Sequence, residues 1–227
     1  ESRTYKRYAD GKSYRYQSNE EDSAMSVDFK DSETLKNLMR AFAGESQARN
    51  RYTFAASLCK SQKLHVLEAV FQFTAGQEKE HAEIFYNHMK EMAGSTIQID
   101  GGYPVDITND VTELLRMAQH NEYEEHDPVY RSFGETAKAE GFPKIAASFL
   151  QIAPIEQGHG NRFGHLADLL ESGKLFVSDV KCAWMCLNCG HVQESLEAPK
   201  VCPVCDHDQG YFIRLEMAPY AGGLLKP

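Results

Sequence analysis

Acidic and imidazole side chains interrupt four apolar helical stripes of this chain at matching depths: Glu45; Glu78 with His81; Glu122 with Glu125; Glu156 with His159. Residues three apart on a helix share one face, so each stretch can point its polar group toward a common interior. Five carboxylates and two imidazoles meeting in an apolar interior are very costly unless cations neutralise them. The pattern therefore demands four helices around a site for two metal ions. A lone Glu-x-x-His is usually a solvated helix face. Here the same reading would have to place charge mid-stripe on four helices and repeat it from half to half.

The stripes set the expected elements. Helix A is expected from about Ser32 to Ser61, capped by Asp31 or Ser32, with Leu35, Leu38, Phe42, Glu45, Arg49, Tyr52 and Ala56 facing inward. Helix B should run from Val66 to Ala93 and stop at Gly94, presenting Leu67, Phe71, Thr74, Glu78, His81 and Phe85. A long link follows, Ser95 to Asn109, enough to carry the chain along the whole bundle. Helix C should start at Asp110 with Glu113 as capping partner, present Leu115, Ala118, Glu122 and Glu125, bend at Pro128 and end at Gly141. Helix D, opened by Pro143 and closed by Gly173, carries Ile145, Phe149, Ile152, Glu156, His159, Phe163, Leu166 and Leu170. Glu45 and Glu78 are 33 residues apart, Glu122 and Glu156 are 34. Two helix pairs of the same plan make a pseudo-symmetric four-helix bundle with a long B–C crossover.

Carboxylate-rich ligation favours iron or manganese over zinc or copper(I). Glu125 is a fifth carboxylate, one turn from Glu122. It is expected to compete with His81 for one ion, the harder oxidised ion preferring the carboxylate. Tyr52 and Tyr130 are candidates to orient the ligands, and Arg49 to offset their charge. His65, His88, His120, His126 and His165 lack paired spacing and are expected at the surface or in packing; His126, beside Glu125, is the exception to watch. Pro154, Gly158 and Gly160 each weaken helix D; a tolerated kink is the expectation.

Six cysteines are present. Cys186-x-x-Cys189 and Cys202-x-x-Cys205, twelve residues apart, specify a tetrahedral thiolate site that suits iron or zinc. A two-metal redox site needs electrons delivered singly, which weights the choice toward iron. Trp184 should give aromatic cover. Cys182 could substitute as a ligand, but its three-residue gap to Cys186 fits a knuckle less well, and Cys59 stands apart. β-prone pieces are expected at Leu175–Val177 and Tyr211–Leu215. The expected organisation is a polar segment 1–24 of unassigned structure, with Met25 as a natural start behind an appended leader; a bundle over 25–174; a cysteine module over 179–219; and a tail from 220 to 227. The chain is 42% hydrophobic and carries a formal charge of −9, five units of which are the ligand glutamates. No basic face suggests nucleic acid, and no apolar run suggests a membrane span. Reduced cysteines point to a cytoplasmic compartment.

The stretches Phe42-Ala-Gly-Glu45-Ser-Gln-Ala-Arg-Asn-Arg-Tyr52 and Gln77-Glu78-Lys79-Glu80-His81-Ala82, with Glu122-x-x-Glu125, Glu156-x-x-His159 and the paired knuckles, closely resemble the rubrerythrin family over residues 26–217. Asp206, where free rubredoxins usually carry Gly, departs from its pattern, as do Pro154 and the helix D glycines. The resemblance implies a mainly α fold: a ferritin-like four-helix bundle with a small C-terminal rubredoxin-like β/turn metal domain. It implies a di-iron site on Glu45, Glu78, His81, Glu122, Glu125, Glu156 and His159. It also implies one iron on Cys186, Cys189, Cys202 and Cys205, with zinc possible as a substitute. The implied activity is a peroxidase serving oxidative-stress defence, with Glu125, Tyr52 and Tyr130 as catalytic candidates and electrons relayed through the thiolate iron. Implied partners are hydrogen peroxide, an electron-donor protein (a rubredoxin, a ferredoxin or an NAD(P)H-dependent reductase) and a second copy in a homodimer. Iron storage or ferroxidase chemistry, and a zinc-ribbon interaction module, are the alternatives.

Overall fold

The computed structural model describes residues 27–219; the expected 1–24 segment, Met25 and the 220–227 tail lie outside the described residues. Helix α1 spans Glu33–Ser61, and Ser32 caps it by accepting from the Leu35 amide. The side chain of Glu140 adds a second cap, accepting from the amides of Glu33 and Thr34 at 3.0 and 2.8 Å. A tight turn leads into α2, His65–His88. It ends earlier than the expected Ala93, because residues Lys90–Met92 tighten into a 3-10 turn before Gly94 adopts a left-handed φ of +84°, a conformation without steric penalty only for glycine.

The crossover then returns along the bundle. Gln62 Nε2 donates to the Asn109 carbonyl at 2.8 Å, so α3 begins beside the α1–α2 turn, at the opposite end from the close of α2. Arg40 fastens the link to α1 by donating to Asp100 Oδ1 at 2.6 Å, and Arg51 does so by its ion pair with Asp106.

Helix α3, Val111–Glu124, is capped by Asp110, which accepts from the amides of Thr112 and Glu113. The expected bend at Pro128 is a complete interruption. Proline drives its predecessor out of helical geometry, and Asp127 is extended (φ −153°, ψ 118°) within a wide π-type turn, Glu125–Tyr130. Helix α4, Arg131–Ala139, follows. Helix α5, Pro143–Glu171, is continuous through Pro154 and the glycines, so no break marks that turn. Gly160 instead lets α3 and α5 approach: a Cβ there would lie 2.6 Å from the Tyr123 ring.

The apolar interior forms two layers. Phe71 and Phe163 are buried with Leu67, Leu115 and Leu166 in one; Phe85 and Phe149 are buried with Leu38, Tyr130 and Ile152 in the other. Each fully buried Phe contributes about 1.5–3 kcal/mol. The polar residues of the site lie between these layers.

After α5 the chain forms a three-stranded antiparallel sheet, β1 Val177–Cys186, β2 Val192–Glu197 and β3 Phe212–Arg214, in the order β2-β1-β3. Expectation covered β3 and only the first residue of β1; β2 was not anticipated. This sheet meets the bundle at the α1–α2 turn. Tyr211 stacks on His65 with ring centroids 3.9 Å apart, and Val66 packs with Met185, Ile213 and Ala218.

Candidate metal centres

Glu45, Glu78, His81, Glu122, Glu156 and His159 come together from α1, α2, α3 and α5, and none exceeds 6% exposure. They form two overlapping groups, Glu45–Glu78–His81–Glu156 and Glu78–Glu122–Glu156–His159, each with its donor atoms within 4.8 Å of one another. Glu78 and Glu156 belong to both. His81 Nδ1 lies 3.2 Å from Glu78 Oε2 and 2.9 Å from Glu156 Oε1. His159 Nδ1 lies 3.0 Å from the other Glu78 oxygen and 2.9 Å from the other Glu156 oxygen. Two carboxylates thus span two positions, while Glu45 belongs to the His81 position and Glu122 to the His159 position.

The inward-facing atoms test whether cations fit. Glu45 Oε2, Glu78 Oε1, Glu122 Oε2, both Glu156 oxygens and His159 Nδ1 are buried with no hydrogen-bond partner among the described residues. Buried polar atoms are rarely left so. That these lone pairs converge on two points is what two carboxylate-ligated ions require. The acid–base balance of the bare cluster reflects the same crowding. Burial, then the charges of Glu156, Glu125 and Glu78, push the Glu45 carboxyl well above the usual range. Burial and Glu78 raise Glu122 to about 8. Burial also opposes ionisation of Glu78, yet His159 and His81 hold it at about 2. Burial works against the imidazolium of His159, but Glu122, Glu156 and Glu78 lift it to about 12; Glu156 and Glu78 likewise lift His81 to about 9.

The tyrosines reach across the halves. Tyr52, on the Glu45 helix, donates to Glu122 Oε1, and Tyr130 donates to Glu45 Oε1 at 2.5 Å. Each sits in an aromatic trio capping one end of the site. Tyr52, Phe71 and Phe163 have centroids 5.1–5.9 Å apart; Tyr130, Phe85 and Phe149 have theirs 4.8–5.8 Å apart.

Glu125 is not brought into either ligand group. It is half-buried at the start of the wide turn. It lines a cavity of about 320 Å³ with Gly44, Tyr103, His120 and Tyr130. Burial, then Glu122 and Glu156, push its carboxyl well up. Arg49 is exposed, because the buried face of α1 is centred on Ala41, Ala48 and Tyr52 rather than on the Arg49 side. His126 Nδ1 bonds the Ala153 carbonyl at 2.8 Å and ties the wide turn to α5. His65 stacks on Tyr211, His88 meets Ser148, and His120 and His165 are exposed. Sequence reasoning missed Gln77, whose Oε1 lies 3.1 Å from His159 Nε2. A polar residue beside Glu78 was the only available signal.

In the cysteine module, Cys186 and Cys205 sulfurs are 3.8 Å apart and those of Cys189 and Cys202 3.7 Å. A disulfide needs about 2.05 Å, whereas a tetrahedral ion with bonds of about 2.3 Å gives sulfur–sulfur edges of roughly 3.8 Å. The knuckles are near copies. Cys186 N donates to the His191 carbonyl and Cys202 N to that of His207, both at 2.8 Å. Gly190 (φ +78°) and Asp206 (φ +58°) take the same left-handed turn. The departure at Asp206 thus keeps the backbone path, since a short polar side chain tolerates that conformation. Trp184 is fully buried beside Cys186 and Cys202. Cys182 lies outside the thiolate group, and Cys59 is buried in the bundle.

Comparison with known proteins agrees with this architecture. Residues 36–167 match the family model described as rubrerythrin, and residues 184–213 match that of the rubrerythrin rubredoxin-like domain. The chain is 42% identical to the rubrerythrin of Clostridium perfringens over 184 residues, covering 81% of this chain and 94% of that protein. It is 45% identical to that of Porphyromonas gingivalis over 188 residues, covering 83% and 92%. Among solved structures, nigerythrin superposes with a TM-score of 0.54 at 24% identity, covering 81% of this chain and 90% of that one. The bacterioferritin of Desulfovibrio desulfuricans gives 0.55 at 22%, covering 62% and 81%. The bundle fold is ferritin-like.

Proposed function

The chain belongs to the rubrerythrin family, and from that premise we propose that it reduces hydrogen peroxide to water: one H₂O₂, two electrons and two protons give two waters. Its cofactors are two irons in the bundle and one in the thiolate site. The observation that carries the reading is the pairing, in one chain, of a carboxylate-rich two-metal site with a single-metal thiolate site. Iron storage needs no such electron relay.

When bound, the two irons supply Lewis acidity and one electron each. The protein's part is to hold the geometry and move protons. Glu78 and Glu156 span the two positions and set their separation. Tyr52 and Tyr130 hold the outer oxygens of Glu122 and Glu45 and shield the site between two aromatic trios. Glu125, at the cavity edge with burial pushing its carboxyl up, holds a proton near the site and delivers it as the O–O bond breaks. Glu125 would also be the carboxylate that takes the place of His81 as a ligand to the harder, oxidised ion, which prefers oxygen. The cavity gives peroxide its approach.

Cys186, Cys189, Cys202 and Cys205 would hold an iron whose chemistry is one-electron transfer to the bundle site. Within one chain that module docks at His65, and Glu78 lies thirteen residues further along α2, roughly 20 Å away. That distance supports a homodimer in which the thiolate site of one subunit serves the bundle of the other. An outside reductase, NAD(P)H-linked or acting through a rubredoxin or ferredoxin, would supply the module. Four free thiolates suit a reducing, cytoplasmic setting; no described helix is long and apolar enough to cross a membrane. The test is Cys186→Ser in the iron-loaded protein. Reductase-linked turnover should be lost, while pre-reduced protein still consumes one equivalent of peroxide per bundle. Full steady-state activity in that variant would contradict the relay.

A further inference from the structure

The two imidazoles face the metal positions alike but are held differently from behind. His159 turns Nδ1 inward and Nε2 toward Gln77 Oε1 at 3.1 Å. Arg162, one turn along α5, donates from Nη1 to Thr74 Oγ1 at 3.0 Å and to the same Gln77 oxygen at 3.4 Å. Its guanidinium also lies 5.3 Å from the Phe73 ring centre. Arginine has donors only, so Gln77 must present its oxygen, not its amide nitrogen, to Arg162. That oxygen can then accept only from a protonated Nε2 of His159. In the neutral ring this fixes the tautomer and leaves the Nδ1 lone pair facing Glu78, Glu122 and Glu156. His81 has no counterpart. Its Nδ1 faces Glu78 and Glu156, and its outer nitrogen has no hydrogen-bond partner among the described residues.

We propose that Gln77, oriented by Arg162 and Thr74, is a positioning residue that pre-sets His159 for metal and makes the two metal positions unequal, tight at His159 and Glu122, loose at His81 and Glu45. Partners behind a metal-binding histidine commonly change affinity roughly 10–100-fold. A difference of that size arises here from one side chain that touches neither ion. The inference concerns metal affinity, so it stands or falls separately from peroxide reduction.

The experiment is an anaerobic titration of the metal-free full-length chain with Co²⁺, followed by ligand-field absorbance; the thiolate-bound ion is counted apart by its intense sulfur charge-transfer bands. The unaltered chain should bind two bundle ions with distinct affinities. Gln77→Leu should weaken the tighter one roughly 10–100-fold and leave the other within about twofold. Gln77→Glu keeps an acceptor for both His159 and Arg162 and should restore tight binding. Arg162→Met should weaken the same ion by a smaller factor. Equal loss at both positions in Gln77→Leu, no loss at either, or a Gln77→Glu variant as weak as the leucine variant would overturn the proposal. Should the leucine variant not fold, the glutamate and Arg162→Met variants decide it by the same ratio of affinities.

Discussion

Removing the bundle metals should make the fold lose stability as pH rises through neutrality, where the loaded protein does not. Glu122 is raised to about 8 in the bare fold, so its burial is harmless while it is protonated and penalised as pH rises toward that value. His81 at about 9 and His159 at about 12 are likewise raised above the free imidazole. They contribute stability that is complete below about 6.5 and lost on the way up to those values. Glu78, held at about 2, has the opposite sign, but its contribution is lost only below the ordinary carboxylate range and is constant here. Between pH 6.5 and 8 the bare fold therefore binds more protons than the unfolded chain. A single such proton is worth about 1.4 kcal/mol per pH unit, hence ~2 kcal/mol over the interval, and roughly 4–8 °C in Tm for a chain of this size. The other raised groups of the cluster, Glu45 and Glu125 included, act in the same direction, so this is the floor. Metal binding expels them, and the loaded protein should show a flat or rising Tm. The assay is thermal unfolding by circular dichroism of chelated and iron-loaded samples at both pH values. A metal-free Tm that is unchanged or higher at pH 8 would refute the clustering of these groups.

Other outcomes test individual contacts. Tyr130→Phe should leave Glu45 Oε1 without its donor and cost about 1–3 kcal/mol in denaturant unfolding, and Tyr52→Phe should act likewise through Glu122. Gly210→Ala should be severe, because its Cβ would lie 1.8 Å from the Lys63 carbonyl oxygen; limited proteolysis should then cut between bundle and sheet. Gly164→Ala should be far milder, since the atom it meets is the flexible end of Gln119. Glu125→Ala should slow peroxide turnover while two bundle irons still bind, measured by stopped-flow and metal analysis.

What the sequence made readable was whatever repeats along one helix. All six members of the expected α2 stripe, Leu67 to Phe85, are buried, because a 3.6-residue period is a local property. Relations between helices were not readable. Spacing placed Tyr52 on the face of Glu45 but not against Glu122, since no local period encodes which neighbour a long side chain reaches. Arg49 and Ala48 lie on opposite flanks of the Glu45 stripe, and only the packing of the other helices decided which flank was inside. In β1, Val177 is exposed, Ser178 is buried and Trp184, Met185 and Cys186 are all buried. The strand has no alternation to detect, because the thiolate knuckle and the α1–α2 turn cover it unevenly.

The near-symmetry of the bundle gives its exceptions their meaning. Glu45 and Glu122, Tyr130 and Tyr52, and the two aromatic trios correspond across the halves, as do the bridging Glu78 and Glu156. A site built only from those pairs would give its two metal positions equal surroundings and no reason to differ in affinity or ligand exchange. Two features break the equivalence. The Asp127–Pro128 interruption ends α3 at the residue before Glu125 and opens a cavity against it. Gln77 and Arg162 lock His159 and have no equivalent behind His81 among the described residues. Both push the same way: one position is anchored, and the other keeps an unbraced imidazole. In a core where burying an unpaired charge is costly, the two positions differ in what surrounds them: Glu125, outside both ligand groups, lies close enough to Glu45 to push its carboxyl up.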